Sequence, residues 1–162
     1  MDGRRIKAPL DYTRGPEKGW IYGALDVQEG TALTQTASAR NTAGYRALLQ
    51  TLDGAYPQGE LYLVADNLAS HSSGPIRDWL ITHPRIQHAF IPVGAAWLNL
   101  IEGWWRIFRR KAFAGQSLAD RHDIAYVAAI ATARLNRHAS PWIWGRLPPP
   151  ARHLRRCFVY RL

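Results

Sequence analysis

Apolar residues along this chain switch between a two-residue and a three-to-four-residue rhythm, and the switches lay out the order β-β-α-β-α-β-α-α. Residues 20–27 read as a strand, 28–30 as a turn and 31–37 as its hairpin partner. Asn41 or Thr42 can cap a helix whose apolar stripe is Tyr45, Leu48, Leu49 and Leu52, ending before Pro57. Residues 60–65 are a near-continuous apolar run, the pattern of a central strand buried on both faces. A helix over 75–81 and a strand over 86–91 follow. After the loop 92–96, Leu98, Ile101, Trp105, Phe108 and Ala112 recur at steps of three and four, which predicts a core-facing helix over 99–113. A second long helix is predicted over 118–135, with Ile124, Val127, Ala128, Ala131 and Leu135 inward. This order argues for an α/β sandwich built on a mixed sheet.

Composition narrows the class. At 162 residues, 47% hydrophobic and 20% charged, the chain has a globular composition and the length of one domain. Residues 1–19 form an irregular leading segment, 20–145 the domain, and 146–162 a basic tail. There is no apolar run of about 18 residues and no export signal, so a cytoplasmic protein with no membrane partner is expected. The single Cys157 excludes an intramolecular disulfide and any multi-cysteine zinc site. The net charge of +9 is unevenly placed. Nine basic residues balance nine acidic ones over residues 1–100, whereas residues 101–162 set twelve basic residues against Glu102, Asp120 and Asp123. A basic block without an interfacial apolar helix favours nucleic acid over membrane.

Two carboxylates carry the candidate chemistry. Asp66 closes the apolar strand and Glu102 opens the basic helix, with room between them for one helix and one strand. Two hard oxygen ligands so placed can hold Mg²⁺ or Mn²⁺ for phosphoryl transfer, usually with a third carboxylate. Glu102, Arg106 and Arg110 share a helix face, with Arg109 beside them, and guanidinium groups there can hold a phosphate backbone. Both acids also have plain structural readings. Asn99 and Glu102 have the spacing of a capping box, and Glu102 with Arg106 that of a helix ion pair. Asp66 can equally form an Asx turn or cap the next helix, and Asn67 and His71 can be supporting partners or loop residues. Trp97, Trp104 and Trp105 read as core or interface aromatics. No nucleophile elbow, phosphate-binding glycine loop or Cys-x-x-Cys motif is present.

The stretch Leu63-Val-Ala-Asp-Asn-Leu-Ala-Ser-His71, followed by Ile91-Pro-Val-Gly-Ala-Ala-Trp-Leu-Asn-Leu-Ile-Glu102, resembles the catalytic core of Asp-Asp-Glu transposases. The branch it resembles is the insertion-sequence 630 group of the mariner superfamily. Similarity extends to Tyr12-Thr-Arg14, to Ala24-Leu-Asp-Val27 with Gly30, and to Asn136 and Pro141-Trp-Ile-Trp144. The resemblance implies a ribonuclease H-like fold, with Asp66 as second and Glu102 as third acid of a triad and Asn67, His71 and Asn99 in support. It further implies two Mg²⁺ or Mn²⁺ ions, DNA partners (transposon ends and target) contacted by Arg106, Arg109 and Arg110, and a bacterial, nucleoid-associated setting. A homodimer is left open.

One departure shapes the expectations. In the family the first acid lies on the first, central strand, upstream of the region matching Tyr12 to Arg14, so the chain looks N-terminally truncated. Asp2 and Asp11 lack a matching strand context, and Asp26 aligns with the end of the second strand, where a turn role is expected. Without the central strand, either the hairpin closes directly onto the Asp66 strand or the fold is poorly stable. Little or no turnover is expected of the chain alone. The rival reading is a non-catalytic, basic nucleic-acid-binding or interaction remnant.

Overall fold

The computed structural model describes residues 19–95 and 98–143. Most of the leading segment, the matches at Tyr12 and Arg14, Trp97, Trp144, Cys157 and the basic tail lie outside the described residues. The elements are β1 (Trp20–Leu25), β2 (Ala32–Ala37), α1 (Thr42–Ala55), β3 (Leu61–Ala65), α2 (Gly74–Ile81), β4 (Ile86–Phe90), α3 (Ile101–Ala112) and α4 (Arg121–Asn136). Their order is the one that the apolar rhythm predicts.

β1 and β2 pair antiparallel in the register Trp20↔Ala37 to Leu25↔Ala32. Asp26 builds the turn between them, its Oδ1 accepting from the main-chain N–H of Gln28 (2.9 Å) and Glu29 (3.1 Å). That is the turn role expected of it. Gly30 sits there at φ 74, and a Cβ would collide with the main chain of Ser140, so both conformation and space demand glycine. Alternation along β1 sends Tyr22 and Ala24 to the cluster around α1, and Ile21 and Leu25 to the cluster of α3 and α4. The hairpin is thus covered on both faces.

α1 begins where Asn41 Oδ1 accepts from Gly44 N–H at 2.9 Å, the cap that the sequence offers. Its stripe of Tyr45, Leu48, Leu49 and Leu52 is buried, joined by Ile76 and Trp79 of α2 and Ile86 of β4. At the far end Arg85 grips α1 through Asp53, donating to its carboxylate (Nε, 2.9 Å) and to its main-chain carbonyl (2.8 Å). This fixes the start of the β3–β4 pair, whose parallel register runs from Leu61↔Ile86 to Ala65↔Phe90.

Two details of the expected fold are corrected here, the closure of the hairpin and the burial of β3. Among the described residues the strands form two two-stranded sheets, β1–β2 antiparallel and β3–β4 parallel. The hairpin therefore does not close onto β3; both pairs lean on α1, and no described strand bridges β1 to β3. Nor is β3 buried on both faces: Leu61 and Leu63 pack against the α1–α2 cluster and Ala65 is buried, while Tyr62 is 63% and Val64 47% exposed. A continuous apolar run reports what the strand can bury, and the second face lacks a cover among the described residues.

α3 and α4 form the second core. Phe108 is fully buried, stacked on Trp104 at 4.9 Å and edge-on to Trp105 and Phe113. The buried stripe of α3 is Trp104, Phe108 and Ala112, with Trp105 partly exposed beside Gly23 of β1. α4 starts at Asp120, whose side chain accepts from Asp123 N–H. It docks on β2 through Thr132 Oγ1 to Thr34 Oγ1 (2.8 Å) and through the Asn136 amide, which bonds both main-chain groups of Ala32 at 2.8 Å.

Candidate active site

Asp66 is the first residue past β3, at the carboxyl end of the parallel pair, where α/β folds commonly place chemistry. The strand ends are tied there by Ile91 N–H to Ala65 C=O (3.0 Å) and by Asn67 Nδ2 to Ile91 C=O (2.5 Å). Asn67 thus staples the loop carrying Asp66 to the exit of β4, the segment that continues toward Asn99 and Glu102.

The structural readings of Asp66 fail. Its carboxylate neither caps α2, whose N-cap is Ser73, nor accepts a described main-chain N–H. Its side chain is 48% exposed, yet Oδ1 is buried with no hydrogen-bond partner. Nδ1 of His71 stands 2.9 Å from that oxygen, but it makes its hydrogen bond with the Asp66 main-chain carbonyl at 3.2 Å. Because a carbonyl only accepts, Nδ1 must carry the proton. The same Nδ1–H lies against Oδ1, so the imidazole is the close neighbour of the carboxylate, although its hydrogen-bond geometry is met at the carbonyl. A buried acceptor left unpaired costs about 1–3 kcal/mol, a standing reason for it to take a ligand.

Behind the carboxylate lies an aromatic stack that sequence reasoning missed. The Tyr45 ring lies 4.0 Å from the His71 ring, and its hydroxyl hydrogen-bonds His88 Nε2 at 3.0 Å. Burial first, and the Asp66 carboxylate second, push the Tyr45 phenol well above its ordinary value, so it stays protonated. Burial, then His71, pull His88 below 6.5. Tyr45 lies 43 residues from His88 in the chain. Tyr45 appears in sequence only as one more apolar position on a helix stripe.

Glu102 stands exposed in the first turn of α3 and is equally free of structural duty. α3 begins after Leu100 with no side-chain cap; Glu102 N–H bonds the main-chain carbonyl of Asn99 (3.1 Å), so the capping box is not formed. Among the described residues Glu102 makes no ion pair with Arg106 either. Arg106, Arg109 and Arg110 are exposed along the same helix. Asp66 and Glu102 offer hard oxygen donors of the kind Mg²⁺ and Mn²⁺ take, and the orphaned Oδ1 of Asp66 fits that use. Among the described residues no three Asp, Glu, His or Cys side chains gather as a cage, and Glu102 does not join Asp66 and His71 as a third member.

By its fold the chain is an α/β domain of the ribonuclease H-like, integrase-core type. It is similar to the catalytic core domain of BIV integrase, with TM-score 0.58 and 16% identity over 75% of this chain and 78% of that one. It is also similar to a chain of the simian T-cell lymphotropic virus intasome in complex with PP2A regulatory subunit B56 gamma. There the TM-score is 0.54 with 14% identity, over 83% of this chain and 52% of that one. At such identities the likeness speaks to the fold. The family follows from the sequence: the chain belongs to the DDE superfamily of endonucleases, whose family model matches residues 2–125. The insertion element IS630 uncharacterized 39 kDa protein of Shigella sonnei is 28% identical over 91 residues. That alignment takes in 56% of this chain but 26% of the relative, so the chain spans about a quarter of that protein's length. The transposase resemblance carried by the two motifs is thereby borne out. No described helix is long and apolar enough to cross a membrane.

Proposed function

We propose that Asp66 and Glu102 are two of the carboxylates that hold Mg²⁺ or Mn²⁺ for DNA cleavage and strand transfer at transposon ends. The observation that carries this reading is that, among the described residues, neither acid caps a helix or pairs with an arginine, the Asp66 carboxylate having only the His71 ring against it. Every structural role their spacing allowed is left unfilled, and Asp66 keeps a buried oxygen without a hydrogen bond. Cations bound there polarise a scissile phosphate and activate the attacking water or 3′-hydroxyl. Asn67 pins the Asp66 loop, His71 lies against the carboxylate, and Asn99 leads the main chain into the Glu102 turn. Arg106, Arg109 and Arg110 hold the DNA backbone on either side.

Because no three ligating side chains gather among the described residues, we expect cations to be held loosely and turnover by this chain alone to be low. Incubating the chain with labelled transposon-end DNA and Mg²⁺ or Mn²⁺ tests this, the expected result being at most trace nicking. Robust metal-dependent nicking, abolished by Asp66→Asn, would overturn the impairment while supporting the site. The exposed arginines of α3 support a second reading, a chain that binds DNA through them without catalysis. Its DNA affinity would fall steeply with salt and ignore divalent metal.

A further inference from the structure

We infer that Tyr45 and His88 are a positioning pair for the Asp66 carboxylate, acting through His71. The inference rests on the reading of Asp66 as a metal ligand. Three separate elements converge behind that acid. Tyr45 comes from the first turn of α1, His88 from the middle of β4, and His71 from the loop after β3.

Asp66 lies beyond the last paired residue of β3, so the ladder does not fix it. A loop carboxylate must then be ordered by its neighbours, since each cation bound by a mobile side chain bears the cost of freezing it. His71 supplies that order. Its Nδ1–H bonds the Asp66 carbonyl at 3.2 Å, its own main-chain N–H bonds Leu68 C=O at 2.9 Å, and its side chain is only 14% exposed. What holds the imidazole is the Tyr45 ring, 4.0 Å away and tilted by 30°. What holds the Tyr45 ring is His88, whose Nε2 meets the phenol at 3.0 Å. His88 is itself in register with Leu63 of β3, two residues before the partner of Ala65. The chain of contact therefore starts on the sheet and returns to the end of the same sheet, where Asp66 emerges.

Packing alone explains the Tyr45 ring but not its hydroxyl. A phenylalanine would fill the same buried site without a phenol to satisfy, so the hydroxyl has a use, and its described partner is His88. Held by the Tyr45 ring on one face and by the Asp66 and Leu68 carbonyls, the His71 ring is constrained in its loop. That placement sets Nδ1 2.9 Å from Oδ1, so the ring limits where the carboxylate can point.

The test uses the full chain, with Mn²⁺ as probe, in the parent and in Tyr45→Phe, Tyr45→Leu and Asp66→Asn. Mn²⁺ affinity is read by the resonance of free Mn²⁺, and the His71 ring by its imidazole ¹⁵N–¹H spectrum. Tyr45→Leu removes the ring and is expected to erase the ring-current shift of His71 and weaken Mn²⁺ about 3–10-fold. That is less than the roughly 10–100-fold typical of losing a directly bonded outer partner. Tyr45→Phe keeps the ring shift, frees His88 and weakens Mn²⁺ about 2–3-fold, a fraction of that same loss. Folded variants that bind Mn²⁺ like the parent, with an unmoved His71 spectrum, would overturn the inference. Should Tyr45→Leu fail to fold, Tyr45→Phe decides alone. If the parent shows no Mn²⁺ binding that Asp66→Asn removes, the ligand reading of Asp66 has failed, and the His71 spectra still judge the stack.

Discussion

Replacing Asn136 by alanine removes a clasp that closes the hairpin's outer edge. The Asn136 amide donates to Ala32 C=O and accepts from Ala32 N–H, both at 2.8 Å and 104 residues apart in the chain. Ala32 opens β2 and is buried, and its two main-chain groups turn outward, away from β1. In Asn136→Ala both lose their partner. Each bond contributes about 0.5–1.5 kcal/mol net, and buried orphans push the sum upward, so about 2–3 kcal/mol is expected. Alanine's better helix propensity returns less than about 0.7 kcal/mol. For a chain of this size the melting temperature should fall by about 4–10 °C. Asn136→Asp should do no better, because a carboxylate accepts from Ala32 N–H but repels Ala32 C=O. Thermal unfolding followed by circular dichroism reads the loss, and hydrogen exchange at the Ala32 amide localises it. A melting temperature within about 1 °C of the parent, with the Ala32 amide still protected, would refute the reasoning.

Other outcomes follow from the same geometry. Phe108→Ala empties the centre of the α3–α4 core and should lose about 3–5 kcal/mol in urea unfolding; a loss under about 1 kcal/mol would contradict the packing described. His88, faced by Tyr45, His71 and Phe90, is pulled below 6.5 when folded, so the unfolded chain takes its proton more readily. Its share of stability is complete above about pH 6.5 and is lost as pH falls through the lower folded value. Urea midpoints between pH 7.5 and 5 should therefore fall less in His88→Gln than in the parent, and equal slopes would refute the burial argument. Substituting Arg106, Arg109 and Arg110 together by alanine should flatten the log–log salt dependence of DNA binding by about three units; an unchanged slope would remove α3 from the DNA face.

The sequence was legible wherever one element's own periodicity decides its fate. The stripe Tyr45, Leu48, Leu49, Leu52 with its Asn41 cap is local information, and so is the Asp26 turn. What it withheld is what depends on a second element. The apolar run of β3 says that it can bury two faces, while exposure of Tyr62 and Val64 depends on what lies opposite. On α3 the steps of three and four point to Trp105 as the core tryptophan, but Trp104 is the buried one and Trp105 packs partly exposed beside Gly23 of β1. Asn136 looks like an ordinary polar end of a helix until Ala32 arrives from the other end of the domain. At the site, Asp66 and Glu102 were readable as residues. That neither caps a helix was not, because the spacing of a capping box is identical whether or not the box forms.

The most direct test of the site is calorimetric titration of the chain with Mn²⁺, alongside Asp66→Asn and Glu102→Gln. Weak, saturable binding that disappears in either variant, with melting temperatures unchanged, is the expected result. Binding that survives both substitutions, or a parent that binds no Mn²⁺ at all, would show that the two carboxylates do not form a metal centre.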